Sequence, residues 1–483
     1  MRHDEFHASR EDAAEKAQDF GAWGGRGMTF PAYPAYRETG SPWIGSVPVG
    51  WDVIALRRDL HFLTSGSRGW ADHYADEGAL FLRIGNLTRD GLDLDLADIQ
   101  RVAVPAGAEG ERTRVEPGDV LFSITAFMGS VAVVPANLEC AYVSQHVALA
   151  RLRGDMLLPR WVGYATLSAA GKAYLDAQCY GGTKIQLSLD DVANLPVAVP
   201  SLAEQMALTA FLDQETGKID ALVAEQERLI ALLKEKRQAV ISQAVTKGLN
   251  PNAPMKDSGI EWLGQVPAHW EVGRLSQFCT GISTGPFGTA LGSQDYVTDG
   301  VPVINPSHII NGRCVPASDV TVSTETAERL SIWTLAAGDI ITARRGELGR
   351  AAVVGEAEAA WICGTGSLRL RPAGSLSLSQ FLFRVFECRY TREWLELSSV
   401  GSTMANINEV IMGGLPIAIP VSDAEREEIS LYVDYESSKI DALITDATQA
   451  ITLLRERRAA LISAAVTGKI DVRSLAPTKQ EAA

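Results

Sequence analysis

The chain has 483 residues, with 44 Lys and Arg against 59 Asp and Glu, for a formal net charge of −15. That length holds roughly three domains at ~150 residues each. The acidic balance argues against free, non-specific attraction to nucleic acid, so any such role must rest on local basic surface or on a basic partner. The opening MRHDEFHASREDAAEK is charged and lacks an apolar core, which excludes a secretory signal there, and no run of about 18 apolar residues could span a membrane. The six cysteines are scattered without a CxxC and read as reduced thiols of a cytoplasmic protein, not as a disulfide frame or a zinc site.

In chain order, residues 1–40 read as a polar lead-in with no counterpart further on. At Ser41 a first repeat opens with SPWIGSVPVGWDV, whose mate is IEWLGQVPAHWEV from Ile260, with Trp43 matching Trp262. Pro48 and Pro267 exclude a helix interior, so each segment is expected to be an extended arm pinned by two buried tryptophans. A body of short β-branched runs between glycine-rich turns follows in both halves. It includes PGDVLFSITAFMGSVAVV from Pro117 and AGDIITARRGELGRAAVV from Ala337, in which Gly118-Asp119 pairs with Gly338-Asp339 at an offset of 220 (338 − 118). Amphipathic helical stretches come next, near residues 158–175 and 378–397, so each body is α+β.

Each body closes on a buried strand, LPVAVP to Pro200 or LPIAIP to Pro420, followed by Ser201-Leu202-Ala203-Glu204 or Ser422-Asp423-Ala424-Glu425. Both tetrads have the S-x-x-E form of a helix capping box. The helices they open run to Thr246 and Thr467, share KIDAL and AVT at matched positions, and span about 65 Å each if straight. Gly217 is a possible kink in the first. A heptad seam is read through Ile219, Leu222, Gln226, Leu229, Leu233, Lys236 and Val240, and again through Ile440, Leu443, Ala447, Ala450, Leu454, Arg457 and Leu461. Two seams in one chain supply each other's partner. The expected fold is therefore α+β, with two tandem pseudo-symmetric units, each a globular body followed by a long helix, the helices pairing as an antiparallel coiled coil.

The order WIGxVPxGW, a Gly-Thr or Ser-Thr loop, LPxxxP, S-x-x-E, KIDAL and a long helix ending in AVT, with GPFGTAL at residues 285–291, resembles the specificity subunit of Type I restriction–modification enzymes over about residues 33–472. The resemblance implies target recognition domains at residues 41–200 and 249–420, the latter entered through a linker, and helical spacers at 201–248 and 421–472, with a tail at 473–483. Each domain would read one half of an asymmetric bipartite target in double-stranded DNA. The spacers would dock two methyltransferase subunits, with restriction subunits when present, and no membrane. The resemblance also implies no catalytic, metal or cofactor site in this chain; S-adenosylmethionine would serve the methyltransferase partner, and ATP and Mg the restriction partner.

The residues agree with that expectation. There is no G-x-x-x-x-G-K-[ST] loop; Asn305-Pro306-Ser307-His308 lacks the second proline and aromatic of an amino-methyltransferase motif, and Gly364-Thr365-Gly366 has no following helix. Base reading calls for Arg, Lys, Asn, Gln, Ser or Thr on loops. The candidates are Arg68, Arg83, Asn86, Arg89, Thr183, Lys184 and Gln186 in the first body, and Asn305, Arg313, Arg344, Arg345, Thr403 and Asn406 in the second. Partner docking is expected at Ile219, Leu222, Leu229, Leu233, Lys236 and Arg237 and at Ile440, Leu443, Leu454, Arg457 and Arg458, which include the matched basic clusters KEKR and RERR. The competing reading is a non-catalytic coiled-coil scaffold whose globular domains bind proteins, which the acidic charge would suit.

Overall fold

The structure is a computed structural model that describes residues 30–66, 68–104, 108–179, 185–399 and 406–473. It divides into two compact units, Met1–Gln226 with Ala450–Ala483, and Glu227–Gln449. The first long helix, Leu202–Lys247, and the second, Asp423–Val466, are each shared between the units. Each unit therefore holds one body, the start of the helix that leaves it, and the end of the other helix. Gly217 causes no break, since the helix is continuous through it.

In the first unit an antiparallel sheet has the order Leu60–Ser65, Val147–Leu152, Val120–Ser123, Val131–Val133. The strand VLFS is buried on both faces, and its alternation decides where each side chain goes. Val120 and Phe122 join the core around Trp161 of helix Pro159–Leu167, while Leu121 packs with Leu80 and Leu82. Those two leucines belong to strand Ala79–Leu82 of a second, mixed sheet, in which Ala141–Val143 runs parallel to it. The layers are thus helices, antiparallel sheet and mixed sheet. Trp51 of the arm meets Trp161 edge-on at 5.9 Å, and Trp161 donates Nε1 to Ala198 O at 2.7 Å, tying arm, helix and closing strand Pro196–Val199 together.

The second unit repeats the plan. Cys279–Thr284, Ser367–Pro372, Ile340–Ala343 and Ala351–Val353 form its antiparallel sheet, and Val301–Ile304 lies parallel to Ile362–Cys363 in its mixed sheet. Trp270 meets Phe381 edge-on at 5.8 Å, where the first unit has Trp51 and Trp161. The Gly-Asp pairs have one job in both. Gly118 and Gly338 turn the chain at φ +87° and +84°, and the buried Asp119 and Asp339 each take two hydrogen bonds from an arginine, Arg151 or Arg371, on the neighbouring strand. Those bonds are the first cause of the raised pKa of both guanidinium groups.

Several expectations need correction. The polar lead-in does not extend to residue 40: Phe30 packs edge-on against Phe211, and Tyr33 is buried. Nor does that segment lack a counterpart. Tyr36–Glu38 pairs with Ser46–Pro48 as Met255–Asp257 pairs with Gln265–Pro267, and Arg37 and Lys256 each donate to the carbonyl of the following arm tryptophan, Trp51 or Trp270. Only that second tryptophan of each arm is buried, since Trp43 is half-buried and Trp262 exposed. The expected capping boxes are incomplete. Ser201 Oγ accepts from Glu204 N at 3.3 Å, but the Glu204 carboxylate takes the Tyr33 hydroxyl at 2.5 Å, and Glu425 takes Trp270 Nε1 at 2.9 Å. A buried aromatic donor needs its acceptor more than a solvated helix end does.

The helix seam is out of phase with the sequence reading at alternate positions. Ile219, Leu233 and Ile440 are buried and Leu454 half-buried, but Leu222, Leu229, Lys236, Leu443 and Arg457 are exposed. The inward positions between are Val223, Ile230 and Arg237 on the first helix, and Ile444, Ile451 and Arg458 on the second. Arg458 pairs with Asp220 at 2.8 Å in the first unit, and Arg237 with Asp441 at 3.2 Å in the second. Within the first unit Leu208 and Leu212, before Asp220, share a core with Ile462 and Ala465, after Arg458. Within the second Ile241 and Ala244, after Arg237, share one with Ile429 and Val433, before Asp441, so in each unit the helix segments run antiparallel. Arg237 and Arg458 thus serve this pairing instead of presenting a free docking surface.

Candidate nucleic-acid interface

In each unit the central strand of the antiparallel sheet ends in a tight turn, residues 124–129 or 344–349. Its backbone fixes two neighbours in the same way in both. Ile124 N donates to His146 O and Leu187 N to Ile124 O; Arg344 N donates to Gly366 O and Ile407 N to Arg344 O. Beside these bonds Thr125 bridges Gln186, and Arg345 bridges Asn406, again at a common offset of 220 (345 − 125 and 406 − 186). A loop after the first sheet strand closes on the same place. Gly66 and Gly285 approach the backbone of Ser144 and Gly364 so closely that a Cβ would lie within 2.3 Å of it, which only glycine permits. Each head thus presents two loops flanking one turn, residues 144–146 or 364–366.

On this common frame the side chains differ. In the second head Arg344 is half-buried and directs Nε to Asn406 Oδ1 at 3.2 Å, while Arg345 is exposed and makes no ion pair among the described residues. Burial, and then the Arg345 charge, push Arg344 below its ordinary pKa. Two adjacent guanidinium groups without a neutralising carboxylate in contact make a place where an acceptor-rich ligand is favoured. Arg350 closes the cluster, donating to Pro306 O at 3.2 Å and pairing with Glu347, which ties the turn to the Asn305 loop. In the first head the turn carries no charge. Ala126 takes the left-handed conformation at φ +62°, where the second head has Gly346, and the exposed Phe127 beside it lies under the Arg89 guanidinium at 4.3 Å.

The structure therefore brings Arg89 and Gln186 to the first frame, and Asn305, Arg344, Arg345 and Asn406 to the second. Arg68 is exposed on the flanking loop. Arg313 is exposed at the tip of a separate hairpin, Ile309–Ile310 with Arg313–Cys314. Arg83 is half-buried and paired with Asp98 at 3.0 Å. Asn86 is not available to a base: it is 3% exposed, its amide donates to Asp95 O and Asp98 O, and its Oδ1 accepts from Arg83 N. Thr183, Lys184 and Thr403 lie outside the described residues. Sequence reasoning missed Phe127 and Phe287, the latter inside GPFGTAL and exposed. The available signal was divergence at matched offsets, where Arg68 stands opposite Phe287 and Phe127 opposite Glu347.

Fold and interface together define an internally duplicated α+β protein with two loop-bearing heads and two long antiparallel helices. Residues 267–452 match the Type I restriction modification DNA specificity domain. The chain is 24% identical over 227 residues to the Type I restriction enzyme StySPI specificity subunit of Salmonella potsdam, covering 45% of this chain and 47% of that protein. It is also 24% identical over 313 residues to the EcoKI specificity subunit of Escherichia coli strain K12, covering 62% of each. The matched region thus spans about half the length of the first of these relatives. A solved chain from work on complex assembly and conformational transition of the type I R-M system superimposes with a TM-score of 0.67 at 18% identity, covering 88% of this chain and 99% of that one. Residues 267–452 thus carry a Type I restriction modification DNA specificity domain, and the chain is similar over part of its length to Type I specificity subunits. Among the described residues no helix is long and apolar enough to cross a membrane.

Proposed function

We propose that this chain is the DNA-reading, non-catalytic subunit of a Type I restriction–modification complex, recognising an asymmetric bipartite target through its two heads. The observation that carries this reading is the pair of identical backbone frames bearing different side chains, Thr125 with Gln186 against Arg345 with Asn406. Equal frames suit two half-sites of the same duplex geometry, and unequal side chains suit different bases in each. Methyltransferase subunits, and restriction subunits where present, dock on the outward faces of the helices, where Leu222 and Leu232 on the first match the exposed Leu443 and Leu453 on the second. S-adenosylmethionine, ATP and Mg belong to those partners.

The test is a genome-wide map of N6-methyladenine after co-expression with the methyltransferase. The expected result is a split, asymmetric motif with a fixed gap that vanishes when this chain is omitted and loosens in one half with Arg345→Ala. An assembled complex with a competent methyltransferase that marks no such motif would favour the protein-binding scaffold, the reading to which the net charge of −15 lends some weight.

A further inference from the structure

Exposed phenylalanines are costly to solvate, and each head holds one on a loop of the frame described above. In the first head Phe127 is 43% exposed on the turn that follows the central strand. Its position is rigid: Phe127 N donates to Thr125 O, Ser130 N donates to Phe127 O, and Arg89 covers one ring face at 4.3 Å. In the second head Phe287 is 66% exposed, but on the other flanking loop. That loop is pinned at its base, where Thr284 N and Oγ1 both donate to Glu409 and Thr284 O accepts from Trp333 Nε1 at 2.9 Å. Arginine takes the complementary positions, with Arg68 opposite Phe287 and an arginine pair on the turn of the second head. Each head thus offers one apolar and one cationic loop around the same turn, with the two loops exchanged between heads.

We propose that Phe127 and Phe287 are specificity-determining residues that each contact the 5-methyl group of a thymine in the major groove, one in each half of the target. The inference rests on the DNA-reading function proposed above. Thymine alone among the bases offers an apolar group at the major-groove edge, and an exposed phenylalanine on one loop can accept that methyl while a guanidinium on the other loop serves a neighbouring acceptor. Neither ring is needed to fill a core, since both are exposed in the folded chain.

The experiment uses the assembled methyltransferase complex and duplexes carrying its methylated motif, with each thymine replaced in turn by deoxyuridine, which removes only the methyl. Wild type is expected to bind roughly fourfold more weakly at one deoxyuridine in each half, the effect of one buried methyl. Phe127→Ala should abolish that sensitivity in one half only and Phe287→Ala in the other only, whereas Phe127→Leu and Phe287→Leu should retain it. A half-site without a methyl-sensitive thymine overturns the proposal on the wild-type scan alone, independent of any variant's folding. Retained sensitivity in the Ala variants, or both acting on the same half, also overturns it. Failure of DNA reading itself would look different, because the wild-type complex would then not select the motif over random duplex.

Discussion

Arg458 on the second long helix reaches Asp220 on the first with both Nε and Nη2, at 2.8 and 3.2 Å, and Arg237 repeats the pair with Asp441 after exchange of helices. The two copies are not equal. Arg458 is 8% exposed and bonded through two nitrogens, whereas the Arg237 Nε–H is not aimed at Asp441, although the two groups lie 3.2 Å apart. Asp220→Ala leaves a buried guanidinium unpaired. It is expected to cost about 2 kcal/mol, below the usual buried-pair loss because Asp220 itself is half exposed. Asp441→Ala should cost less than about 1 kcal/mol. Urea midpoints of the free chain measure both, and exchanging the charges as Asp220→Arg with Arg458→Asp should recover part of the first loss.

Asn86 and Gln186 differ sharply in burial within one head, so the proposed reading role can fall to Gln186 and not to Asn86. Asn86 holds the loop after strand Ala79–Leu82 through three hydrogen bonds to backbone. Asn86→Ala is expected to destabilise the chain by about 2 kcal/mol, from buried backbone groups left unsatisfied, without changing which bases are selected. Gln186→Ala removes an exposed side chain and should leave the urea midpoint within about 0.5 kcal/mol of wild type while relaxing the methylated motif. The same midpoint and motif measurements on the two variants check both halves of this claim.

Tyr164 gives the first unit an alkaline limit. Burial above all, and then its hydroxyl's 2.6 Å bond to Asp213, push it up to about 12. A phenol whose pKa is raised on folding contributes stability that is fully present below its unfolded value of about 10 and is lost as pH rises through 12. The fall in urea midpoint between pH 10 and 12 should therefore be steeper in wild type than in Tyr164→Phe. Tyr174, also raised to about 12 by burial and the Asp191 charge, should preserve part of the slope in that variant.

The duplication, the long helices and the strand identities were legible because a repeat at a fixed offset reports on itself: Gly118-Asp119 and Gly338-Asp339 mark one turn twice. The 30–39 segment was missed because its match to 249–258 lies in backbone pairing and in Arg37 against Lys256, not in identical residues. Asn86 looked like a reader because asparagine suits both a base edge and a loop carbonyl, and only burial tells them apart. Phe127 was passed over because an aromatic in an apolar run reads as core; its exposure follows from the left-handed Ala126, which sequence alone does not announce.

The seam phase leads to the last prediction. Leucine at 222, 229 and 443 fits a heptad as well as Val223, Ile230 and Ile444 do, so spacing cannot choose between adjacent stripes. The structure leaves Leu222 and Leu443 half exposed, at 52% and 51%, and buries Ile219 and Ile440. Ile440→Ala should cost about 3 kcal/mol through the cavity it leaves, whereas Leu443→Ala should change the free chain's stability by no more than about 0.5 kcal/mol. Assembly should respond in the opposite sense. Leu222→Asp and Leu443→Asp together are expected to weaken methyltransferase binding by roughly tenfold or more, as charges set into an apolar contact. Calorimetric titration of the free chain with the methyltransferase reads that loss directly. Wild-type affinity in the double variant would move the docking surface off these matched leucines.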